Sequence, residues 1–353
     1  MRRTPAVLPR FAFAAALLAA VAVGCVAHAP RAPHAPRSSE PAATQSTLGP
    51  PVTVRAGTHD AMNHRPPSDT DLRDSHRRHA ALAQFHRWFL LYENPDYGVE
   101  NALDALAPDV TVASGLGTAV GHDAYRTRVA ELPATWQNAH RVRDADVTFP
   151  DDGTTRLTAQ VTYLNRGLRP DGSVRTAELT YEATLADADP VLPRFTAIRI
   201  EQQSEGDADA FAPAYAENRL RSLAHHWLAL VEHPDRAVEP FRAVLAEGFV
   251  LNFSSGPIDT MDGLATWLAG PASAVDASGH RIDRFAFAPI AGRPDAYRVE
   301  LAFAWHGLTS DGDRVTARTG HTWTVTDDPM ERFARLERVD VEVLEPLRPL
   351  AER

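Results

Sequence analysis

The run HRWFLLYENPD at residues 86–96 returns as HHWLALVEHPD at residues 225–235. An internal repeat of this kind governs how the rest of a chain is read. Working outward, His140-Arg141-Val142 matches His280-Arg281-Ile282. Gly167-Leu168 with Asp171-Gly172 matches Gly307-Leu308 with Asp311-Gly312, and Thr176-Ala177 matches Thr316-Ala317. The offset is 139 at the first match and 140 afterwards, which a single loop insertion explains. Each copy is about 130 residues, the size of a domain and too long for a solenoid unit. The boundaries expected are 68–203 for the first domain, 204–213 for a polar linker, 214–346 for the second domain and 347–353 for a tail.

Within a copy the element order is legible. Ser68 is placed to cap a helix whose first turn carries Asp69 and Asp71. That helix runs to about Tyr92 and is stopped by Asn94-Pro95. Its counterpart runs from about Pro213 to Glu232 and is stopped by His233-Pro234. A short helix, a strand and a third helix follow, and then four strands. The middle two are joined by Pro170-Asp171-Gly172 in the first copy and Ser310-Asp311-Gly312 in the second, both hairpin signals. Trp88 and Trp227 read as core anchors. His86 and His225 lie about 200° around the helix from them and read as surface residues.

This order, written twice, resembles the nuclear transport factor 2-like fold, including its SnoaL-like polyketide-cyclase branch. The residues carrying the resemblance are Trp88, Pro95, Leu106, His140 and Asp171-Gly172, repeated as Trp227, Pro234, Leu245, His280 and Asp311-Gly312. It implies an α+β chain of two tandem cone-shaped domains, each with three helices packed on a curved antiparallel sheet. It also implies ligands bound inside the cones and an internal pseudo-dimer open to further association. The family contains isomerases, dehydratases, hydrolases and binding modules, so the fold by itself names no reaction.

Strand alternation nominates cone-lining residues. They are Tyr163, Asn165 and Tyr181 in the first copy, and Phe303, Trp305, His321 and Trp323 in the second. A hairpin symmetric about Gly172 or Gly312 would set Tyr163 opposite Tyr181 and Phe303 opposite His321. His321 is the catalytic candidate, because an imidazole among aromatic rings favours its neutral, basic form. The inward strand positions carry no Asp or Glu, so Asp283, Asp340 or Glu342 would have to supply an acid partner. With that gap, the leading reading is a non-catalytic protein that binds a small apolar or aromatic ligand or another protein. The alternatives are an isomerase, dehydratase, cyclase or hydrolase working in the second cone, and a structural envelope subunit. His140 and His280 read as shared structural residues.

The ends and the composition complete the expectation. The chain has 353 residues, and its 36 basic residues are all arginine. Without lysine there is no Schiff-base chemistry and no P-loop. A net charge of -10 argues against nucleic acid as a partner. Gly115-Leu116-Gly117 with Gly121 has the wrong spacing for a dinucleotide loop. No cofactor and no metal site is expected. Residues 1–24 read as a signal peptide, with Arg2 and Arg3 before an apolar run. Ala22-Val23-Gly24-Cys25 resembles a bacterial lipobox. It implies lipidation of Cys25, the sole cysteine, and with Val26 next it implies outer-membrane sorting facing the periplasm. Residues 25–67, rich in Pro, Ala and Ser, read as a disordered tether. His28, His34, His59 and His64 lie there at irregular spacing, which does not suit a metal tail.

Overall fold

The computed structural model describes residues 66–187 and 191–350. The signal peptide, Cys25 and nearly all of the tether lie outside these residues. Among the described residues no helix is long and apolar enough to cross a membrane.

The first half begins with α1 (Asp69–Arg73), α2 (Ser75–Trp88) and α3 (Leu90–Glu93), which together form the expected first helix. Ser68 caps it through a reciprocal capping box with Asp71. Short turns at Asp74 and Phe89 divide it, and at Phe89 the ladder tightens to an i−3 bond with His86. Then come α4 (Val99–Leu103), β1 (Leu106–Ser114), β2 (Gly117–Val120) and α5 (Gly121–Ala130). The long strands β3 (Gln137–Thr148), β4 (Thr155–Arg166), β5 (Val174–Ala186) and β6 (Arg194–Ala208) complete the half.

The second half repeats the plan. It consists of α6 (Tyr215–Glu232), a 3₁₀ turn (Glu239–Ala243), β7 (Leu245–Phe253), β8 (Gly256–Ile258), α7 (Met261–Ala269) and a 3₁₀ turn (Pro271–Ala274). The strands β9 (Ala277–Ile290), β10 (Arg293–Leu308), β11 (Arg314–Thr326) and β12 (Arg335–Pro349) follow.

Each half is therefore an α+β unit, with helices packed on one curved six-stranded sheet. The sheet orders are β2-β1-β6-β5-β4-β3 and β8-β7-β12-β11-β10-β9. Matching bulges bend the two sheets, with Arg143 extra on β3 and Asp283 extra on β9. Each sheet encloses an apolar core, built around Phe85, Trp88, Leu157 and Phe195 in one half and Trp227, Phe241, Phe285 and Trp323 in the other.

Four details differ from the expectation. The sheets are mixed, because β1 runs parallel to β6 and β7 parallel to β12. The glycines near 115–121 build a small hairpin, with Gly117 and its repeat Gly256 both at positive φ. Strand β6 extends to Ala208, into the stretch read as linker, and β12 extends to Pro349, into the stretch read as tail. The long hairpins pair Tyr163 with Ala177 and Phe303 with Thr319, so the partners lie four residues from the symmetric expectation in the first half and two in the second.

The halves meet along α2 and α6. Ala80 and Ala83 on α2 are buried in the second half's core, and Ser222 on α6 donates to the Ala83 carbonyl at 2.8 Å. His86 and His225 do face away from their own cores, as the helical pattern requires. The other half covers them, so both are buried and the surface reading is corrected.

Candidate functional site

Helix α3 ends in Glu93, and β3 passes beside it. Glu93 Oε1 accepts the backbone N–H of His140 at 2.6 Å and lies 3.1 Å from His140 Nδ1. An ionised carboxylate only accepts, so Nδ1 is the donor to it, and in the neutral form of the ring Nε2 is the acceptor. The second half reproduces the arrangement. Glu232 closes α6, and its Oε1 accepts His280 N and lies against Nδ1, each at 2.7 Å. Both carboxylates have almost no exposed side-chain surface, and the imidazoles are only slightly exposed. Burial by itself raises the Glu232 carboxyl. The neighbouring His79 and the bonds from His280 outweigh that and hold it below the usual carboxylate value.

The opposite half supplies a further partner to each pair. Asn218 of α6 donates Nδ2 to both Glu93 oxygens at 3.1 Å and to the His140 carbonyl at 2.9 Å. His79 of α2 occupies the repeat-equivalent position. Its Nε2 donates to the His280 carbonyl at 3.0 Å and lies 3.7 Å from Glu232 Oε1. Behind them, His86 Nδ1 donates to Asn218 Oδ1 at 2.9 Å, and His225 Nδ1 meets His79 Nδ1 at 2.9 Å. The His86 and His225 rings stack 5.6 Å apart, inclined by only 8°, at the centre of this two-fold-like seam. Burial pushes His79, His86 and His225 below the ordinary histidine value, His86 to about 3.

The rings around the two pairs differ. His140 stacks on Phe89 at 4.7 Å and lies 5.1 Å from the Tyr163 ring and 6.1 Å from the Tyr92 ring. Tyr92 and Tyr125 share a hydroxyl bond of 2.7 Å. Burial raises the Tyr92 phenol to about 12 and pushes Tyr125 and Tyr181 well above the usual value, so all three remain protonated. In the second half His280 meets Phe303 edge-on at 5.6 Å.

The residues nominated from sequence fall as follows. Tyr163 and Asn165 both donate to Asn138 Oδ1, at 2.7 and 2.8 Å, which ties them into the end of the β3–β4 ladder. Tyr181 is buried beside Phe85 and Phe89. Phe303 presents its ring to His321 at 4.7 Å, although Leu301 is the residue directly opposite. Trp305 lies over Gly307, where an added Cβ would come within 2.5 Å of the indole. Trp323 is fully buried.

His321 bonds Thr319 Oγ1 through Nε2 at 3.1 Å. Its Nδ1 and the Trp323 Nε1 are buried with no hydrogen-bond partner. Burial, with a smaller contribution from His280, holds the His321 imidazole down at about 3. The acids suggested for it are engaged or remote. Asp283 pairs with Arg281 and Arg318, Asp340 with Arg338 and Asn252, and Glu342 is exposed. Among the described residues no group of three or more His, Cys, Asp or Glu side chains is placed to hold a metal.

Sequence reasoning missed Glu93 and Glu232, because it sought the acid only on strand faces. The signal was present: the repeated stretch retains a glutamate before each His-to-meander start, in ENPD and again in EHPD.

No protein-family model and no curated protein matches the chain. Among solved structures, it is similar to a type 2 hexachlorocyclohexane dehydrochlorinase (LinA) at 14% identity, over 40% of this chain and 97% of that one, with a TM-score of 0.36. The type 3 LinA of Novosphingobium barchaimii matches at 14% identity over 40% and 99%, with a TM-score of 0.36. The ActVI-ORFA protein of Streptomyces coelicolor matches at 10% identity over 36% and 97%, with a TM-score of 0.31.

Proposed function

We propose that each half binds a small aromatic or largely apolar molecule and moves a proton on it. In this reading Glu93–His140 and Glu232–His280 act as acid-oriented histidine bases. The supporting observation is the repeated pairing that commits Nδ1–H to a buried carboxylate and leaves Nε2 as the lone pair. His Nε2 takes a proton from a carbon beside a carbonyl or a leaving group. The C–H electron pair then forms the new double bond or enolate, and the carboxylate stabilises the imidazolium. In the first half a protonated phenol can return a proton to the developing oxygen anion or leaving group. The reaction class is elimination or isomerisation. His321 serves this reading as a neutral lining residue. With a conjugate acid near about 3 it is a weak base at neutral pH.

The probe is nitrobenzisoxazole. A base removes its ring C–H, the N–O bond breaks, and a coloured cyanophenolate leaves. We expect His140→Gln combined with His280→Gln to lower its opening by about 10²–10⁴-fold relative to the unaltered chain. Equal rates in the two proteins would discard the proton-transfer reading. A second reading has its own observation. Both pairs are gripped by the opposite half, so they can serve only to join the halves around a non-catalytic binding or interaction module. Equal rates would leave this reading standing.

We further propose that the chain is exported and lipid-anchored at Cys25, facing the periplasm from the outer membrane, with residues 26–67 as the spacer. Cys25→Ala is expected to release the protein from the membrane fraction. Undiminished membrane association in that variant would overturn the anchor.

A further inference from the structure

We infer that neither half completes its own site: Asn218 of the second half is the positioning residue of Glu93–His140, and His79 of the first half is the positioning residue of Glu232–His280. This rests on the proton-transfer reading for the word site, and on the seam geometry alone for the assignment.

A histidine base needs one tautomer and one ring orientation, and the group that orients it must itself be held. Glu93 is held from two sides. His140 supplies N–H and Nδ1–H, and Asn218 crosses from the other half to bond both carboxylate oxygens. The same amide reaches the His140 carbonyl, so a single side chain fixes both the acid and the backbone of the base. His79 does the equivalent work in the second half, on the His280 carbonyl and beside Glu232. Each of these two residues is backed by its seam neighbour, Asn218 by His86 and His79 by His225. All four are buried, and none of them lies on a strand lining the half it serves. The reciprocity follows from the repeat, since His79 and Asn218 occupy the same position of the duplicated helix. The residue type differs, with an amide on one side and an imidazole on the other. The duplication therefore forms one working unit, and an isolated half would carry an acid with one of its supports missing.

The test uses the full chain in two backgrounds. His280→Gln isolates the first site, and His140→Gln isolates the second. Asn218→Leu is expected to lower nitrobenzisoxazole opening by about 10–100-fold at the first site and to leave the second within about twofold. His79→Leu is expected to do the reverse. In protein labelled with ¹⁵N-histidine, Asn218→Leu should move the ring signals of His140 and spare those of His280, with the opposite result for His79→Leu. His79→Asn installs the side chain that the equivalent position already uses, and is expected to retain the second site. The assignment falls if either leucine depresses both sites alike, which would mark general loosening of the seam. It falls equally if the leucine disturbs only the site in its own half. Should the base variants themselves leave the probe rate unchanged, the proton-transfer reading fails alone, and the imidazole signals still decide the positioning.

Discussion

Arg219→Met is expected to lower the unfolding free energy by about 3–5 kcal/mol, measured as a fall in the urea midpoint. The guanidinium is buried on α6 and satisfies four acceptors. Nε donates to Asp327 Oδ1 at 2.6 Å, Nη1 to the Arg332 carbonyl at 2.9 Å, and Nη2 to the Asp328 and Glu331 carbonyls at 2.8 and 3.0 Å. Asp327 has 5% of its side chain exposed and faces the guanidinium with 1% exposed, so removing one charge strands the other away from water. The same guanidinium lies 5.5 Å over the Tyr97 ring, which belongs to the first half. Its loss therefore loosens the loop before β12 and the seam together. Methionine keeps most of the stem, which confines the change to the charge and the bonds. Adding Asp327→Leu should recover only the part due to the stranded carboxylate, because three carbonyls still lose their bonds from the guanidinium, although that of Asp328 keeps the Glu331 N–H at 3.0 Å. Arg242→Met is the control. Arg242 pairs with Glu239 at 2.8 Å, but both side chains are largely exposed, and no measurable change is expected.

What the sequence revealed and what it hid divide along a physical line. Periodicity is a property of one element against its own core. It correctly set Leu157, Ala159 and Val161 inward on β4, and Val299, Leu301 and Phe303 inward on β10. The cross-strand register depends on the turn, and there it missed by four residues on the first hairpin and by two on the second. Gly172 N bonds the Arg169 carbonyl and Gly312 N bonds the Thr309 carbonyl, so each glycine closes its turn at the fourth position, with positive φ, and is not the midpoint. The seam was hidden for a different reason. A helical pattern separates core from everything else, and it cannot distinguish solvent from a second copy of the same fold. His86 and His225 therefore read as surface. The acid of each pair was hidden by topology. Glu93 and Glu232 close helices, far along the chain from the strands that carry His140 and His280. Only the folded chain brings a helix end to the start of β3 or β9.

Acid should open this protein well before its carboxylates are titrated. Burial holds His86, His226 and His321 each at about 3 in the folded chain, against 6.5 when unfolded. Above pH 6.5 the unfolded chain binds no extra protons at these groups, and their neutral burial carries no penalty. As pH falls below that value the unfolded chain takes up protons that the folded chain refuses, and stability drains until the folded value is reached. At about pH 5 this amounts to about 2 kcal/mol for each of the three, roughly 6 kcal/mol together. That approaches the whole stability of an ordinary domain, about 5–15 kcal/mol. His79 and His225 add in the same direction, and Glu232, lowered in the folded state, adds its loss at lower pH still. The seam should yield first, because His79, His86 and His225 lie within it. Their neutral chain of Nδ1 contacts cannot accept a second proton without setting two cations side by side. The expected record is a rise in the scattering radius on acidification, preceding the fluorescence shift of the buried Trp88, Trp227 and Trp323 in the two cores. His226→Phe isolates one contribution. That ring stacks on Phe333 at 4.4 Å, and its Nδ1 has no partner, so phenylalanine keeps the contact and removes the titration. The variant should match the unaltered protein at neutral pH and gain about 2 kcal/mol over it at about pH 5. Parallel pH curves for the two proteins would show that His226 is not held neutral by burial.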